Sequence, residues 1–307
     1  MKVAVGQLCS SSNITKNLHT VYKLLNHAVE HHSQILFLPE ATDYISRNAQ
    51  HSAQLAQEVE SHFLRPLLAH IKHLNAQTYL SLGVHLPSTS TTTTTASARV
   101  RNVHILIDPQ GAIVAEYQKL HLFDVDVPHG PILKESNSVE PGSRIVPPIP
   151  IPSSSGGGGF NLGLSICYDI RFPELSLKLR QLGAHILTFP SAFTTKTGEA
   201  HWEILSRARA LDTQCFVVNA AQCGTHDVGT NEKGDAVLRV SYGDSIVVDP
   251  WGKVLARAKK FDDDGVDVDG DDYYEIIYAD LDLDALETVR KNMPLLDHRR
   301  SEVFGEL

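Results

Sequence analysis

Short apolar runs alternate with amphipathic stretches along the whole chain, and this alternation predicts an α/β layered fold. Within residues 14–32, for example, Leu18, Val21 and Leu25 recur with the 3.6-residue period of a helix that buries one face. The same pattern predicts helices at 14–32, 52–75, 173–183 and 199–213, and strands at 2–8, 34–39, 79–86, 102–108, 112–118, 161–167, 185–190, 215–221, 244–249, 253–258 and 274–280.

Two motifs of the chain occur twice in weakly similar form. Residues 35–41, Ile-Leu-Phe-Leu-Pro-Glu-Ala, are similar to residues 186–192, Ile-Leu-Thr-Phe-Pro-Ser-Ala, which lie 151 positions later. An Asp-Pro-x-Gly motif followed by an apolar run occurs at 108–111 and again at 249–252, 141 positions later. This motif is typical of a hairpin turn, because proline presets one turn dihedral angle and glycine tolerates the next. The similar offsets predict two related halves packed on each other in a single domain, residues 1–307.

Three segments of biased composition are predicted to be loop insertions. Residues 88–97 are almost wholly Ser and Thr, residues 153–159 are three Ser followed by four Gly, and residues 262–272 contain seven Asp. The acidic segment fails as a calcium-binding loop, because with Gly270 at the sixth position the ligands at both ends are missing. The four glycines precede a predicted strand rather than a helix, so they do not form a phosphate-binding loop.

The formal net charge of −9 argues against nonspecific binding to nucleic acid or to an anionic membrane, since both require a basic surface. Without residues 262–272 the balance is 27 basic against 29 acidic residues, so most of the excess belongs to one loop. No apolar run approaches the roughly 18 residues of a membrane-spanning helix. The four cysteines form no Cys-x-x-Cys pair, and the N-terminus runs directly into a strand pattern without the features of a signal peptide. We therefore expect free thiols and a cytoplasmic location, with a mitochondrial one also open.

Three predicted strands each end at a residue that can take part in catalysis. Glu40 follows the apolar run 35–39, where partial desolvation is expected to raise its pKa and make it a base near neutral pH. Cys167 ends the strand 161–167 before a turn into a helix, a geometry typical of a nucleophile elbow with backbone N–H groups available to an oxyanion. Lys119 ends the strand after the first hairpin, where it can stabilise a thiolate or hold a substrate oxygen.

Each of these residues also has an ordinary structural interpretation when taken alone. A glutamate at a strand end is commonly a helix cap or an ion-pair partner, a lysine there is normally solvated, and a buried cysteine acts as a small hydrophobe. The three together are informative because they supply a base, a cation and a nucleophile. His121 invites a Cys–His pair, but a lysine-based site needs no histidine, and we assign His121 a structural role.

Three motifs are similar to those of the nitrilase superfamily of carbon–nitrogen hydrolases: Phe-Leu-Pro-Glu-Ala at 37–41, Tyr-Gln-Lys-Leu-His-Leu-Phe-Asp at 117–124 and Ser-Ile-Cys-Tyr-Asp-Ile-Arg-Phe-Pro-Glu at 165–174. The similarity covers nearly the whole chain, with the motifs in the same order. It implies a four-layer αββα sandwich built from two similar halves, which agrees with the internal repeat. It also implies a Glu–Lys–Cys triad.

The resemblance places this triad on Glu40, Lys119 and Cys167. It implies that Glu40 is the proton acceptor, that Cys167 is the nucleophile, and that Lys119 holds the oxyanion together with the backbone N–H of Tyr168. Glu135 matches the auxiliary glutamate of the superfamily, which orders the site and the substrate. Without the resemblance, Glu135 would be interpreted as a solvated loop charge.

Within the superfamily, several segments are similar to the deaminated glutathione amidases, namely 122–136, 190–198, 201–205 and 207–218. The resemblance implies hydrolysis of glutathione whose γ-glutamyl amino group has become a ketone, which gives 2-oxoglutarate and cysteinylglycine. Arg171 is the candidate clamp for the acyl carboxylate, and its structural alternative is an ion pair with Asp169 or Glu174. The resemblance adds Phe193 and Thr197 as substrate contacts.

Three other functions remain open at this stage. An omega-amidase acting on 2-oxoglutaramate or 2-oxosuccinamate shares the triad, although omega-amidases usually lack the segments at 213–215 and 220–224. A non-catalytic scaffold would have no reason to retain all three triad members. A metal-dependent hydrolase is disfavoured because His27 and His31 are accompanied by no His-Glu-x-x-His motif or Cys/His cluster. We expect a small keto-amide substrate, no cofactor or metal, no nucleic-acid or membrane partner, and a homodimer.

Overall fold

The computed structural model describes residues 1–89, 99–126, 132–153, 158–231, 233–261 and 273–305. The predicted insertion at 262–272 lies outside these described residues. Most of the residues in the other two predicted insertions, 88–97 and 153–159, also lie outside them. Within the described ranges, no helix has the length and apolar character needed to cross a membrane.

Strands and helices alternate along the chain, as the apolar pattern predicts. The strands are β1 (Lys2–Leu8), β2 (Ile35–Phe37), β3 (Tyr79–Pro87), β4 (Val100–Ile107), β5 (Ile113–Gln118), β6 (Asp124–Asp126), β7 (Ile132–Lys134), β8 (Val139–Glu140), β9 (Ile149–Ile151), β10 (Phe160–Leu164), β11 (Ile186–Thr188), β12 (Phe216–Asn219), β13 (Cys223–Thr225), β14 (Val240–Tyr242), β15 (Ile246–Val248), β16 (Val254–Arg257) and β17 (Tyr274–Asp280). The helices are α1 (Ile14–Glu30), α2 (Ala49–Val59), α3 (Arg65–Leu74), α4 (Pro173–Gln181), α5 (Thr195–Thr213), α6 (Leu283–Asn292) and α7 (Ser301–Phe304).

Two sheets with matching topology form the centre of the described fold. The first has the order β17-β1-β2-β3-β4-β5, with β8 beside β4, and the second has the order β16-β15-β12-β11-β10-β9. In the first sheet β1, β2 and β3 are parallel and the β4–β5 hairpin continues antiparallel to them. In the second sheet β10, β11 and β12 are parallel and the β15–β16 hairpin continues in the same way. This equivalence confirms the two similar halves predicted from the repeated motifs.

The alternation of side chains along the strands assigns the layers. Val3 and Val5 of β1 belong to the same buried cluster as Leu162 of the second sheet. Ala4 points to the opposite face and packs in the cluster that contains Val21 of α1, because successive strand side chains lie on opposite faces. Helices α1 to α3 cover the first sheet, while α5 packs on β12 and β15 of the second. The architecture is therefore the predicted four-layer αββα sandwich.

Both Asp-Pro-x-Gly motifs form the predicted hairpin turns. In each turn Oδ1 of the aspartate, Asp108 or Asp249, accepts the backbone N–H groups of the residues two and four positions later. The glycines of the turns, Gly111 and Gly252, adopt φ values of +76° and +82°, which a side chain would disfavour. The turns connect β4 to β5 and β15 to β16, at equivalent places in the two halves.

The helix predicted at 52–75 is confirmed as a continuous helical path, but a π-helical turn divides it into α2 and α3. The π-helical turn Glu60–Leu64 joins the two helices, and Pro66 occupies the first turn of α3. Proline lacks the N–H that an uninterrupted helix would bond to the carbonyl four residues earlier, and its ring clashes with that carbonyl. The wider π turn accommodates this break without ending the helical path.

Several predicted strands are longer than those observed, and some elements were missed. The strand predicted at 34–39 is reduced to β2, since Pro39 has no N–H for the sheet. The strand predicted at 161–167 ends at Leu164, and Cys167 instead begins the 3₁₀ turn Cys167–Arg171. Helix α6 was not predicted, although Asp282 accepts the N–H of Ala285 as an N-cap and is a recognisable helix start.

The first hairpin turn provides a test of backbone strain and of packing between turn and helix. A Cβ on Gly111 would lie 2.5 Å from the backbone oxygen of Leu68, in addition to the positive φ. We expect Gly111→Ala to lower the free energy of unfolding by about 2–4 kcal/mol, measured by urea denaturation. The matched control is Gly234→Ala, where φ is +86° but no atom lies within 4 Å, and where the loss should be about 1 kcal/mol. Equal losses in the two variants would contradict the clash with α3.

Candidate active site

The three predicted strand-end residues meet at one end of the two sheets. Glu40 follows β2, Lys119 follows β5 directly, and Cys167 follows β10. Lys119 Nζ lies 2.9 Å from Glu40 Oε1, and the Cys167 side chain is hydrogen-bonded to the same carboxylate. All three are buried, with exposed fractions of 6% for Glu40, 2% for Lys119 and 8% for Cys167. The structure thus places an ammonium and a thiol on the same carboxylate.

Glu135 joins this group from a turn that follows β7. Its Oε1 lies 2.9 Å from Lys119 Nζ, so that the ammonium bridges two carboxylates. Its Oε2 accepts the backbone N–H of Phe123 at 2.6 Å, which fixes the carboxylate in position. The auxiliary position that the resemblance implied for Glu135 therefore lies beside the predicted triad.

Asn102 is a member of the site that sequence reasoning missed. Its Nδ2 donates to Glu40 Oε1 at 2.6 Å and also lies 3.4 Å from Glu135 Oε1. It is 2% exposed on β4, in the run Val-Arg-Asn-Val-His-Ile, where its polarity is compatible with an exposed strand face. No sequence signal marked Asn102; its burial is visible only in the structure, where it shares a strand face with the buried Val100 and His104.

The pKa of Glu40, which lies beside Lys119, is lowered and not raised as the sequence analysis expected. Burial by itself raises the pKa of Glu40, as predicted, but the Lys119 charge and the hydrogen bonds from Lys119, Cys167 and Asn102 outweigh burial and hold this pKa below its ordinary value. Burial would lower the pKa of Lys119, but the charges of Glu135 and Glu40 raise it well above its ordinary value. Both groups are therefore charged in the resting site.

Cys167 begins its turn in a strained conformation. Its φ is +46°, in the left-handed region, and its N–H donates to the carbonyl oxygen of Pro190 at 3.0 Å. Burial and the charge of Glu40 raise the pKa of the Cys167 thiol, while Lys119 acts in the opposite direction. The backbone N–H of Ala192 donates to Glu40 Oε2 at 3.2 Å and also interacts with the sulfur. Because the raising effects prevail, Cys167 is a neutral thiol in this site.

Hydrogen bonds to the Asp169 carboxylate fix the position of the turn that begins at Cys167. Asp169 Oδ2 accepts the hydroxyl of Tyr117 at 2.6 Å and the N–H of Ile166 at 2.9 Å, while Oδ1 accepts from the N–H of His121 at 3.1 Å. His121 Nδ1 also lies 2.6 Å from Oδ1, and its ring stacks on Phe172 with centroids 3.6 Å apart. His121 thus packs against the back of the turn, as its structural assignment predicted.

The backbone N–H of Tyr168 lies in the first turn after Cys167. The neighbouring N–H groups of Cys167 and Asp169 donate to Pro190 and Ile166, respectively. N–H groups in the first turn of a helical segment have no acceptor within that segment, so this position suits an oxyanion donor. The Tyr168 ring makes edge contacts with Phe123 and Phe172, at centroid distances of 4.9 and 5.3 Å.

A second polar pair that the sequence analysis missed stands next to the triad. Asp43 is fully buried and accepts from His85 twice, from Nδ1 at 3.0 Å and from the backbone N–H at 2.7 Å. Burial would lower the pKa of His85, but the charges of Asp43, Glu40 and Glu135 raise it. The His85 ring stacks on Tyr44 with centroids 4.6 Å apart, and both residues line the cavity above the triad.

This cavity has a volume of about 890 Å³, within the range of small-molecule sites. Its lining includes two carboxylates, both of which contact Lys119, and six cationic side chains, namely Arg47, Lys119, Lys134, Arg171, Lys196 and Arg239. The wall of the cavity is therefore basic although the chain as a whole has a net charge of −9.

The three predicted substrate contacts all lie on this cavity wall. The Arg171 guanidinium lies over the rings of Tyr168 and Phe193, at 5.8 and 5.6 Å from their centroids, and its Nη2 is 3.1 Å from His201 Nδ1. Among the described residues, Arg171 forms no ion pair with Asp169 or Glu174, the alternative considered from sequence.

Phe193 and Thr197 also have structural partners. The Phe193 ring packs edge-on against Trp202 with centroids 4.9 Å apart. Thr197 Oγ1 lies 2.9 Å from the hydroxyl of Thr194, which caps α5. Both side chains are buried, so each presents only a small surface to the cavity.

The two histidines considered for a metal site lie away from the cavity, with His27 in the last turn of α1 and His31 directly after that helix. His27 contacts Glu30 at 3.5 Å, and the His31 ring stacks on Tyr278 with centroids 4.6 Å apart. Within the part of the chain that the structure describes, no group of three His, Cys, Asp or Glu residues is arranged to hold a metal ion.

Comparison with known proteins gives relatives over the whole chain. The chain is 41% identical over 304 residues to "Probable hydrolase nit2" of Schizosaccharomyces pombe, with 98% of each protein covered. It is 39% identical over 305 residues to the "Deaminated glutathione amidase" of Homo sapiens, covering 99% of this chain and 84% of the human protein.

Solved structures give the same result for the fold. The NitFhit protein of C. elegans has a TM-score of 0.81 and 38% identity, covering 98% of this chain and 65% of the worm chain. Nit3 of Saccharomyces cerevisiae, described as a member of branch 10 of the nitrilase superfamily, has a TM-score of 0.71 and 28% identity over 96% of this chain and 94% of its own. Residues 2–291 match the family model described as carbon–nitrogen hydrolase. A match of this extent, together with these identities, shows that the chain belongs to the carbon–nitrogen hydrolases of the nitrilase superfamily, as its three motifs predicted.

Proposed function

We propose that this protein hydrolyses the amide bond of deaminated glutathione to 2-oxoglutarate and cysteinylglycine through a thioester on Cys167. The observation that carries the proposal is the Glu40 carboxylate on the wall of a basic cavity, hydrogen-bonded both to the Cys167 thiol and to the Lys119 ammonium. A nucleophile, a base and a cation in contact are the groups that acyl transfer from an amide requires.

In the first half of the reaction, the substrate carbonyl lies above Cys167, and attack by sulfur is coupled to transfer of the thiol proton to Glu40. This coupling is necessary because the raised pKa of Cys167 and the lowered pKa of Glu40 make a free thiolate unfavourable in the resting site. The negative charge moves to the carbonyl oxygen, where the Lys119 ammonium and the Tyr168 N–H stabilise it. Glu40 then gives its proton to the departing amine, and the thioester remains.

In the second half, water replaces the amine in the cavity. Glu40, again a carboxylate, accepts a proton from this water as its oxygen attacks the thioester carbonyl. The same two donors hold the second oxyanion, and the Cys167 sulfur leaves as a thiol when Glu40 returns the proton. Asn102 and Glu135 hold the pair in position throughout, because Asn102 donates a hydrogen bond to Glu40 and Glu135 accepts one from Lys119.

The acyl part of the substrate carries a carboxylate next to its ketone, and Arg171 is the residue we assign to it. Its guanidinium lies over two aromatic rings on the cavity wall, and Arg171 follows Cys167 by four residues. A guanidinium held in this way is suited to bidentate recognition of a carboxylate. The names of the human and mouse relatives, both deaminated glutathione amidases, support the same substrate.

The substrate preference is tested by comparing deaminated glutathione with 2-oxoglutaramate, using release of 2-oxoglutarate as the assay. We expect kcat/KM for deaminated glutathione to be higher by at least an order of magnitude, and Cys167→Ala to abolish both activities. A preference for the small keto amide would make the protein an omega-amidase instead. If neither compound is hydrolysed and mass spectrometry finds no thioester on Cys167, the scaffold interpretation replaces the enzyme.

The lowered pKa of Glu40 predicts the acid limb of the pH profile. Catalysis requires the carboxylate, so kcat/KM should fall only as the pH drops through a midpoint below about 4.5, the ordinary value for glutamate. Asn102→Ala removes a hydrogen bond to the carboxylate and should move this midpoint upward by roughly one pH unit. Recovery of activity on return to pH 7 controls for acid unfolding. A midpoint that is equal in the two proteins would contradict the assignment of the limb to Glu40.

The buried ion pairs also predict a stability effect of Lys119. Lys119→Met leaves two carboxylates without a counter-charge, and we expect it to lower the free energy of unfolding at pH 7 by about 3–5 kcal/mol. The loss should shrink at pH 5, because the pKa of Glu40 rises without Lys119 and protonation then removes a buried charge. Urea denaturation at both pH values measures this.

The control for that experiment is Arg65→Met. Arg65 is exposed on α3, with its guanidinium 3.9 Å from Glu60, and its replacement should change stability by less than about 0.5 kcal/mol at either pH. A loss for Lys119→Met that is independent of pH would show that packing, rather than charge, is the main contribution of this side chain.

A further inference from the structure

Two guanidinium groups of the cavity wall take no part in the reaction centre described above. Arg47 lies between Tyr44 and α2, and its Nη1 is 4.0 Å from the position that a Cβ on Gly229 would occupy. Arg239 immediately precedes β14, and its carbonyl oxygen accepts the N–H of His226 at 2.8 Å. Both arginines line the same cavity as the triad. The two come from opposite halves of the chain, and burial and the Arg239 charge both lower the pKa of His226, another residue of the cavity lining.

These charges are not neutralised by the described protein. Among the residues that the structure describes, Arg47 and Arg239 have no carboxylate partner, whereas Arg257 pairs with Asp244 and Glu203. The two carboxylates of the cavity itself already contact Lys119. Cations that share a cavity wall repel each other, and an anionic ligand relieves this repulsion.

The two arginines belong to a different part of the wall from Arg171. Arg171 lies against the rings of Tyr168 and Phe193, in the segments that follow β10 and β11. Arg47 follows β2 and Glu40, and Arg239 leads into β14. The cavity therefore has one cationic region at Arg171 and a second cationic region at Arg47 and Arg239, in addition to Lys134 and Lys196.

We propose that Arg47 and Arg239 bind a carboxylate on the leaving group, so that the enzyme selects amides whose amine part is a peptide with a free C-terminal carboxylate. This inference rests on the proposed function and adds the second half of the substrate to it. The acyl carboxylate lies on Arg171, the scissile carbonyl lies over Cys167, and the glycine carboxylate of the leaving cysteinylglycine lies on Arg47 and Arg239. A cavity of about 890 Å³ has room for such a dianion, while a small keto amide would leave this second cationic region unused.

The test compares two substrates that differ only at the far end of the leaving group. One is 2-oxoglutaryl-cysteinylglycine, and the other is its C-terminal amide, in which the carboxylate is replaced by a neutral group of similar size. With the wild-type enzyme we expect kcat/KM for the acid to exceed that for the amide by roughly 10- to 100-fold, the effect of a charge-assisted hydrogen bond. The difference should appear mainly in KM, because the carboxylate is bound equally in the ground and transition states.

The variants Arg47→Gln and Arg239→Gln assign this preference to residues. Each should reduce the ratio of kcat/KM for acid over amide toward one, and Arg47→Lys should restore part of it. Arg65→Gln, on the exposed surface of α3, is the matched control and should leave the ratio at its wild-type value. Arg171→Gln should lower kcat/KM for both substrates by a similar factor, since both carry the same acyl group.

The outcomes separate this inference from the proposed function. If the wild-type enzyme hydrolyses the acid and the amide with equal kcat/KM, the leaving-group site is wrong while the amidase activity stands. An acid preference that survives both glutamine variants, or a loss that is equal for the two substrates, also overturns the assignment to Arg47 and Arg239. If neither keto-acyl peptide is hydrolysed, the proposed function fails and the inference fails with it.

Discussion

The Lys119 ammonium is buried to 2% exposure between Glu40 and Glu135, and the rest of the site depends on these two ion pairs. Burying a charge in a protein interior costs several kcal/mol unless close partners of opposite sign accompany it. The ammonium and its two carboxylate partners come from three separate segments, since Glu40 follows β2, Lys119 follows β5 and Glu135 follows β7. The charges can be satisfied only when all three segments are in place, so the site and this end of the first sheet form together.

The two-fold repeat of the architecture explains how the Cys167 thiol comes to lie beside this ion pair. The first half contributes Glu40, Lys119 and Glu135, while the second half contributes the turn that begins at Cys167. Ala192, the counterpart of Ala41 in the repeated motif, donates its N–H to Glu40 Oε2 across the interface between the halves. Asp169 connects the Cys167 turn to the first half by accepting a hydrogen bond from the hydroxyl of Tyr117. The relative position of the halves therefore fixes the distance between Glu40 and Cys167.

Glu40, Lys119 and Cys167 are recognisable in the sequence because each follows a predicted strand, and the carboxyl ends of parallel strands lie at one edge of a sheet. This rule groups Glu40 with Lys119 on the first sheet, whereas Cys167 follows β10 of the second sheet and meets them through the packing of the two halves. The direction of the Glu40 pKa is not predictable in this way, because it depends on Lys119, which is 79 residues distant in the chain. Local pattern likewise missed Asn102, whose burial follows from the carboxylate it contacts. Pro66 was a local signal for the break between α2 and α3, but the strong apolar period around it predicted a continuous helix.

The resting state of Cys167 follows from the same electrostatics. A thiol activated in advance by a cation would be reactive toward oxidants and electrophiles as well as toward substrate. At this site the Glu40 carboxylate and burial oppose ionisation more strongly than Lys119 favours it, so the sulfur keeps its proton. In the proposed reaction a carbonyl oxygen takes up the developing charge beside Lys119, and Glu40 accepts the thiol proton. The proposed mechanism therefore makes the nucleophilicity of Cys167 conditional on a bound acyl group, through the position of one ammonium between two carboxylates.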